Sequence, residues 1–360
     1  MNTGRGAMGS DYMVWAKTSS RSRFNLATSG LLNYPISDLG VTLEDLELSG
    51  PSWYGYEPLQ SALAAKSHVT PDNVVAAIGT SQANHLAMSV LLAPGDEVLI
   101  EQPVYDPVLA LARYLGATVT RFPRRFEDGF RIDPREIERS VSRRTRLIVI
   151  TNLHNPSSAL TEKETLLEIQ AIARDVGARV LIDEVYLEAL FDGSPSAFHL
   201  GSEFIATSSL TKAYGLSGLR CGWILAEPEL AERMRRLNDL FCVIPPHSAE
   251  LLSVVALKNL DRIGERARIL LETNRSLLDR FFESRDDLDV FMAPFGTTVF
   301  PLLKQGEVEA LCGLLREKYE TTVVPGRFFE MPRHFRIGIG CETQMLAAGL
   351  DRLGAALDEL

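Results

Sequence analysis

Residues 204–226 read Phe204-Ile205-Ala206-Thr207-Ser208-Ser209-Leu210-Thr211-Lys212-Ala213-Tyr214-Gly215-Leu216-Ser217-Gly218-Leu219-Arg220-Cys221-Gly222-Trp223-Ile224-Leu225-Ala226. The apolar run at 204–208 predicts a buried strand, and 222–226 a second. Lys212 lies between them, among small residues, hydroxyls and glycines rather than on a solvated helix face. An amine held in such a packed pocket has a lowered pKa and can attack an aldehyde. Ser209 and Arg220 flank it with a hydroxyl and a fixed cation, a pair suited to a phosphate. A lone S-x-x-K also fits an ordinary surface loop, so the reading depends on partners elsewhere in the chain.

Those partners sit at the ends of further apolar runs. Val74–Ile78 is a short strand followed by Gly79-Thr80-Ser81-Gln82 and a helix with Ala83, Leu86, Ala87, Val90 and Leu91 on its apolar face. A strand, a hydroxylated turn and a helix start make an anion site, because free N–H groups converge there and the helix dipole adds to them. A plain N-cap by Thr80 or Ser81 fits the same residues equally well. The strand at 97–101 ends in Gln102-Pro103-Val104-Tyr105, and the strand at 146–151 in Asn152-Leu153-His154-Asn155-Pro156-Ser157-Ser158. The strand at 179–182 delivers Asp183-Glu184-Val185-Tyr186. A carboxylate there is costly unless it meets a cation. Strand–helix alternation from 74 to 226 indicates a mostly parallel sheet covered on both faces, with ligands outside the carboxyl ends of the strands. Thr80, Ser81, Tyr105, Asn155, Asp183 and Lys212 all fall there.

The remaining signals divide the chain. A helix is expected from Pro58, burying Leu59, Leu63 and Ala64. Asp133 caps a helix at 134–142, and Thr161 with Glu164 forms a capping box before another. After helices at 228–240, 247–257 and 261–282, strands are expected at 290–293 and 297–303, then a helix at 308–319. A strand at 334–339 carries Arg336, and a last helix spans 342–357. Residues 1–50 read as an N-terminal arm and lead-in segment packing with a small domain, 51–250 as a large domain, and 251–360 as the small domain.

With 360 residues, 46% hydrophobic and 23% charged, the chain has ordinary globular composition. A net charge of −10 gives no support to nucleic-acid binding. Cys221, Cys242, Cys312 and Cys341 are far apart and lack metal-ligand spacing, which suits a reduced cytoplasm and no structural metal. No apolar run is long enough to span a membrane, and the first 20 residues lack the apolar core of a signal peptide. Neither a G-x-S-x-G elbow nor a G-x-G-x-x-G after the first strand is present, which disfavours an acyl hydrolase and a Rossmann dehydrogenase.

Five local motifs in this order resemble those of class I/II aminotransferases, fold-type I enzymes that use pyridoxal 5'-phosphate. The likeness covers roughly residues 25–355. Ser209, Lys212 and Arg220 are similar to the family's lysine motif, and Gly79–Gln82 to its phosphate turn. Tyr105, two residues after Pro103, stands where the family stacks an aromatic on the cofactor ring. Asn155-Pro156 resembles the Asn-Pro motif, and Asp183 with Tyr186 the Asp-x-x-Tyr motif. The resemblance implies a seven-stranded sheet flanked by helices and a smaller α+β domain. It implies a Lys212 Schiff base, Lys212 as the base at the substrate Cα, Asp183 on the pyridine nitrogen, and Tyr186 and Asn155 on the ring oxygen. Thr80, Ser81, Gln82, Ser209 and Arg220 would hold the phosphate. Arg336, with Gly30 and Asn155, would hold the substrate carboxylate. A homodimer with Tyr54 or Tyr56 near the partner's site is implied as well. Glu184 and Glu188 read as neighbours rather than catalysts. Leu153 stands where a proline is common and Ser158 where a glycine is usual, so the turn after Pro156 is expected to differ. The implied activity is transfer of an amino group from an α-amino acid to a 2-oxo acid. The alternatives are a β-lyase, decarboxylase, racemase or cyclising enzyme on the same scaffold, or a regulator that senses the cofactor.

Overall fold

The computed structural model describes residues 9–52 and 54–360. Residues 1–8 of the N-terminal arm and Trp53 of the aromatic loop lie outside them. The described chain opens with α1 (Asp11–Thr18), β1 (Phe24–Asn25) and α2 (Glu57–Lys66). α1 has no counterpart among the sequence expectations. Ser10 caps it, its Oγ accepting from Met13 N at 3.1 Å, and Tyr12 and Trp15 turn inward. α2 carries Pro58 in its first turn and buries Leu59, Leu63 and Ala64.

Eleven elements follow, strand and helix alternating as far as β6: β2 (Val74–Ile78), α3 (Thr80–Leu91), β3 (Glu97–Gln102), α4 (Asp106–Tyr114), β4 (Thr118–Pro123), α5 (Pro134–Ser140), β5 (Thr145–Thr151), α6 (Lys163–Val176), β6 (Arg179–Asp183), β7 (Phe204–Ser209) and β8 (Cys221–Leu225). Their strands form a seven-stranded sheet in the order β2-β8-β7-β6-β5-β3-β4. β8 runs antiparallel to both of its neighbours, and the other pairings are parallel.

Successive side chains of a strand point to opposite faces, so a strand buried on both faces must be apolar throughout. Val98, Ile100, Leu147, Val149, Leu181 and Ile205 pack on one face. Leu99, Ile148, Ile150, Val180, Ile182 and Phe204 pack on the other. Burying each of these side chains contributes roughly 1.5–3 kcal/mol.

The capping box expected at Thr161 does not form. α6 starts two residues later, and its N-cap Glu162 makes no side-chain capping bond. Thr161 is instead tied inward: its N donates to Asn152 Oδ1 at 2.9 Å, and its hydroxyl lies 3.4 Å from Arg124 Nη2. Asp133 does cap α5, accepting from Arg135 N at 3.0 Å.

α7 (Pro228–Asn238), α8 (His247–Lys258) and the long α9 (Leu260–Glu283) lead to a second apolar cluster. It is built from β9 (Leu288–Asp289), β10 (Thr298–Val299), β11 (Leu302–Leu303), α10 (Val308–Lys318), β12 (Thr321–Thr322), β13 (Val324–Pro325), β14 (Phe335–Gly338) and α11 (Thr343–Asp358). The strands expected at 290–293 and 297–303 are largely replaced by short pieces. Arg275 takes the carbonyls of Ala293 and Gly296, at 2.6 and 2.9 Å, that a ladder would need. Pro301 interrupts the second run. β14 lies between β10 and β13, antiparallel to both, and β1 pairs in parallel with β12.

Candidate active site

Five strand ends meet on one side of the sheet. β2 runs into Gly79-Thr80, β3 into Tyr105, β5 into Asn155, β6 ends on Asp183, and β7 runs into Lys212. Lys212 Nζ donates to Ser29 Oγ at 3.0 Å and stands 5.9 Å from the Tyr186 ring centre. Tyr186 donates its hydroxyl to the same Ser29 oxygen at 2.8 Å. Burial pushes the Lys212 amine below its ordinary pKa; Tyr12 and Asp183 oppose the shift, while Arg336 and Arg220 add to it.

Asp183 is buried, and its partners are neutral donors. Oδ2 accepts from Asn84 Nδ2 at 2.8 Å and Oδ1 from Val185 N at 3.1 Å. Burial raises its carboxyl to about 6, against the pull of these bonds and of Lys212. Thr207 donates to Asn84 Oδ1 at 2.6 Å, which orients the Asn84 amide toward Asp183. Tyr105 lies near, at the start of α4, its ring 5.4 Å from that of Tyr12.

The anion corner is built around Gly79, which has φ +75° and begins α3 without a side-chain cap. A Cβ on Gly79 would fall 2.2 Å from Arg220 Nη2, and one on Gly222 would fall 2.5 Å from the Gly79 backbone. Gly222 therefore has no room for a side chain, and Gly79 holds a backbone conformation that favours glycine. The first-turn N–H groups of Thr80, Ser81 and Gln82 have no preceding turn to bond. Thr80 donates to Ser209 Oγ at 2.9 Å, and Thr211 N approaches the same oxygen at 3.3 Å. The Gln82 side chain turns away: its carbonyl accepts from Ile78 N at 2.6 Å and its amide donates to Asn238 at 3.0 Å. Only the Gln82 backbone can serve a ligand here.

Arg336, fully buried on β14, faces the same pocket. It donates from Nη1 to Asn155 Oδ1 at 2.9 Å, and from Nη2 to the Tyr12 hydroxyl at 3.0 Å and Ala27 O at 2.9 Å. Arginine has only donors, so the Asn155 oxygen must face it, which leaves the Asn155 amide nitrogen free to donate. Among the described residues the hydrogen-bond partners of Arg336 are all uncharged, and its Nε has no partner. A Cβ on Gly30 would fall 3.4 Å from the Lys212 side chain, and Leu31 N donates to Lys212 O at 3.0 Å.

Tyr56 packs edge-on against His247 of its own chain, 4.9 Å between rings, whereas Tyr54 is exposed. Three site residues escaped sequence reasoning. Asn84 had a signal, being polar on the apolar face of α3 one turn after Thr80. Ser29 had a weaker one, a hydroxyl beside Gly30. Tyr12 had none, because its helix was not expected.

The sequence profile described as "Aminotransferase class I and II" matches residues 46–353. The chain belongs to that family. It is a pyridoxal 5'-phosphate-dependent enzyme of the family. Among similar proteins, it is 30% identical to capreomycidine synthase of Streptomyces vinaceus over 352 residues, 94% of this chain and 90% of that one. The crystal structure of a PLP-dependent aminotransferase from Streptococcus suis matches with a TM-score of 0.90 at 26% identity, covering 97% of each chain. That of the PLP-dependent cyclase OrfR matches at 0.84 and 26%, covering 93% of this chain and 92% of that one.

The residues present fit the family's cofactor. The Gly79–Gly222 cradle leaves backbone N–H groups open to a phosphate. The buried hydroxyl of Thr211 has no partner among the described residues. Asp183 has the raised pKa of a carboxyl that no cation contacts, as a site for a protonated ring nitrogen requires.

Proposed function

We propose that the enzyme moves the amino group of an α-amino acid to a 2-oxo acid, with Lys212 as the cofactor-linked amine and proton carrier. The observation that carries this reading is Arg336, a fully buried cation whose hydrogen-bond partners among the described residues are all uncharged, facing the pocket that Lys212 enters. A buried unpaired charge is costly, and a substrate α-carboxylate would answer it with a two-pronged ion pair. Pyridoxal phosphate supplies the electron sink that makes the α-proton of a bound amino acid acidic. The Lys212 amine, with a pKa depressed by burial, takes that proton and can return it. Asp183 would hold the ring nitrogen, Tyr186 and the Asn155 amide would serve the ring oxygen, and Tyr105 would pack on the ring. The backbones of Thr80, Ser81 and Gln82, with the side chains of Thr80, Ser209 and Arg220, would hold the phosphate. Gly30 and Asn155 complete the carboxylate site.

The working form is a homodimer. Tyr54 is exposed beside Val243, with Leu240, Phe241 and Ile244 exposed in the same chain region, as a partner-facing surface requires. Four free cysteines support a reducing, cytoplasmic setting. Among the described residues no helix is long and apolar enough to cross a membrane.

A second reading is a cyclising reaction, favoured by 30% identity with capreomycidine synthase across 94% of the chain. The test is to incubate the holoenzyme with each amino acid, with and without pyruvate or 2-oxoglutarate. Transamination gives a new amino acid only when the oxo acid is present. Conversion of a single amino acid with no oxo acid consumed would favour the second reading and overturn the first.

A further inference from the structure

Ser29 lies in an extended stretch whose sequence marks it only weakly, as a hydroxyl beside Gly30. It is nevertheless buried, and its oxygen accepts from Lys212 Nζ at 3.0 Å and Tyr186 Oη at 2.8 Å. The backbone around it is fixed on both sides. Thr297 Oγ1 donates to Ser29 O at 2.8 Å, and Leu31 N donates to Lys212 O at 3.0 Å. We propose that Ser29 is a further catalytic residue, whose hydroxyl oxygen aims the Lys212 amine and couples that aim to Tyr186.

A hydroxyl has two acceptor lone pairs and one proton. Lys212 and Tyr186 take both lone pairs, so the Ser29 proton is available to a third group entering the pocket. The charged and titratable groups acting on Lys212 come from every side: Tyr12 from α1, Asp183 from β6, Arg336 from β14, and Arg220 from the turn before β8. None of them is the hydrogen-bond acceptor of Nζ; Ser29 is. An acceptor for the ammonium favours the charged form. Removing it therefore lets the amine lose its proton at lower pH, and frees it to leave the orientation from which it reaches a substrate.

The proposal rests on Lys212 as the reacting amine, but not on which reaction follows. The test compares wild type with Ser29→Ala and Ser29→Cys, the latter close in size but a weak acceptor, and with Ser29→Thr, which restores a hydroxyl. In cofactor-free full-length protein, lysines are methylated with 13C-formaldehyde and titrated by NMR, and the Lys212 signal is assigned by its loss in Lys212→Arg. The expected result is a Lys212 titration shifted to lower pH in the Ala and Cys variants and near wild type in Thr. With cofactor, kcat should fall on the order of 10- to 100-fold in Ala and Cys, with KM much less changed. If Ser29→Ala fails to fold, Ser29→Cys serves in its place. A wild-type titration with wild-type kcat in either variant would overturn the proposal. A protein that does not transaminate yet shows the shifted titration would overturn the proposed reaction and leave Ser29 in its role.

Discussion

Asp183 illustrates how one side chain can be unfavourable for the fold and useful to the site. Its carboxyl is raised from 3.8 to about 6 because burial removes water and neutral donors only partly replace it. A folded pKa above the unfolded one means that the folded state binds the extra proton, so stability falls as pH rises from about 4 to about 6. Cofactor-free wild type should therefore lose up to roughly 3 kcal/mol relative to Asp183→Asn across that window. Chemical denaturation at several pH values would read the difference, and a pH-independent difference would contradict it. Ser158 carries a second conflict. It holds φ +61°, where the family usually places glycine, and donates to Thr298 O at 2.8 Å. Left-handed backbone costs a non-glycine residue roughly 1–2 kcal/mol, about what one hydrogen bond returns. Ser158→Ala keeps the strain and loses the bond, so it should destabilise by about 1 kcal/mol, while Ser158→Gly loses both and stays near wild type. Equal melting temperatures for Ala and Gly variants would contradict this. The departure at Ser158 was readable in the sequence, but its compensation was not, because Thr298 lies 140 positions away.

The elements that sequence reading located best are those whose signal is local. β5 and β6 have apolar centres, Leu147 to Ile150 and Val180 to Ile182, as strands covered on both faces must, and α5 opens with Asp133 and Pro134. Elements set by distant partners were missed or misplaced. α1 is eight residues long, too short to be stable by itself. Its anchors are on α4, where the Asp106 carboxylate accepts from the Ser10 hydroxyl and, at 3.4 Å, from Tyr12 N. Asp106→Ala should loosen α1 without unfolding the sheet. Limited proteolysis would show several-fold faster cleavage within residues 9–20 and unchanged cleavage elsewhere; an unaltered digestion pattern would mean that the aromatic contacts of Tyr12 and Trp15 suffice. At β3 and β5 the anchor is a buried pair. Arg124 meets Glu101 at 2.8 Å, and the other Glu101 oxygen accepts from Thr151 N at 2.7 Å. It ties together the strand ends that carry Tyr105 and Asn155, and neither residue stands out in the sequence because its partner is remote.

For the molecule as a whole, the site is a meeting of strand ends from the sheet with two pieces that come from outside it. Lys212, Asp183 and Asn155 come from consecutive neighbours in the sheet, so the order of motifs along the chain foretold their proximity. Ser29 and Arg336 come from the lead-in segment and from β14, and only the folded chain joins them to Lys212 and Asn155. Every role assigned in the pocket depends on Lys212 being the amine that carries the cofactor. Borohydride reduction of the reconstituted protein, followed by peptide mass mapping of wild type and Lys212→Ala, tests that dependence. One reduced pyridoxyl adduct is expected, on the peptide containing Lys212, and none in the variant. An adduct of the same yield in Lys212→Ala, or one mapped to another lysine in wild type, would contradict it.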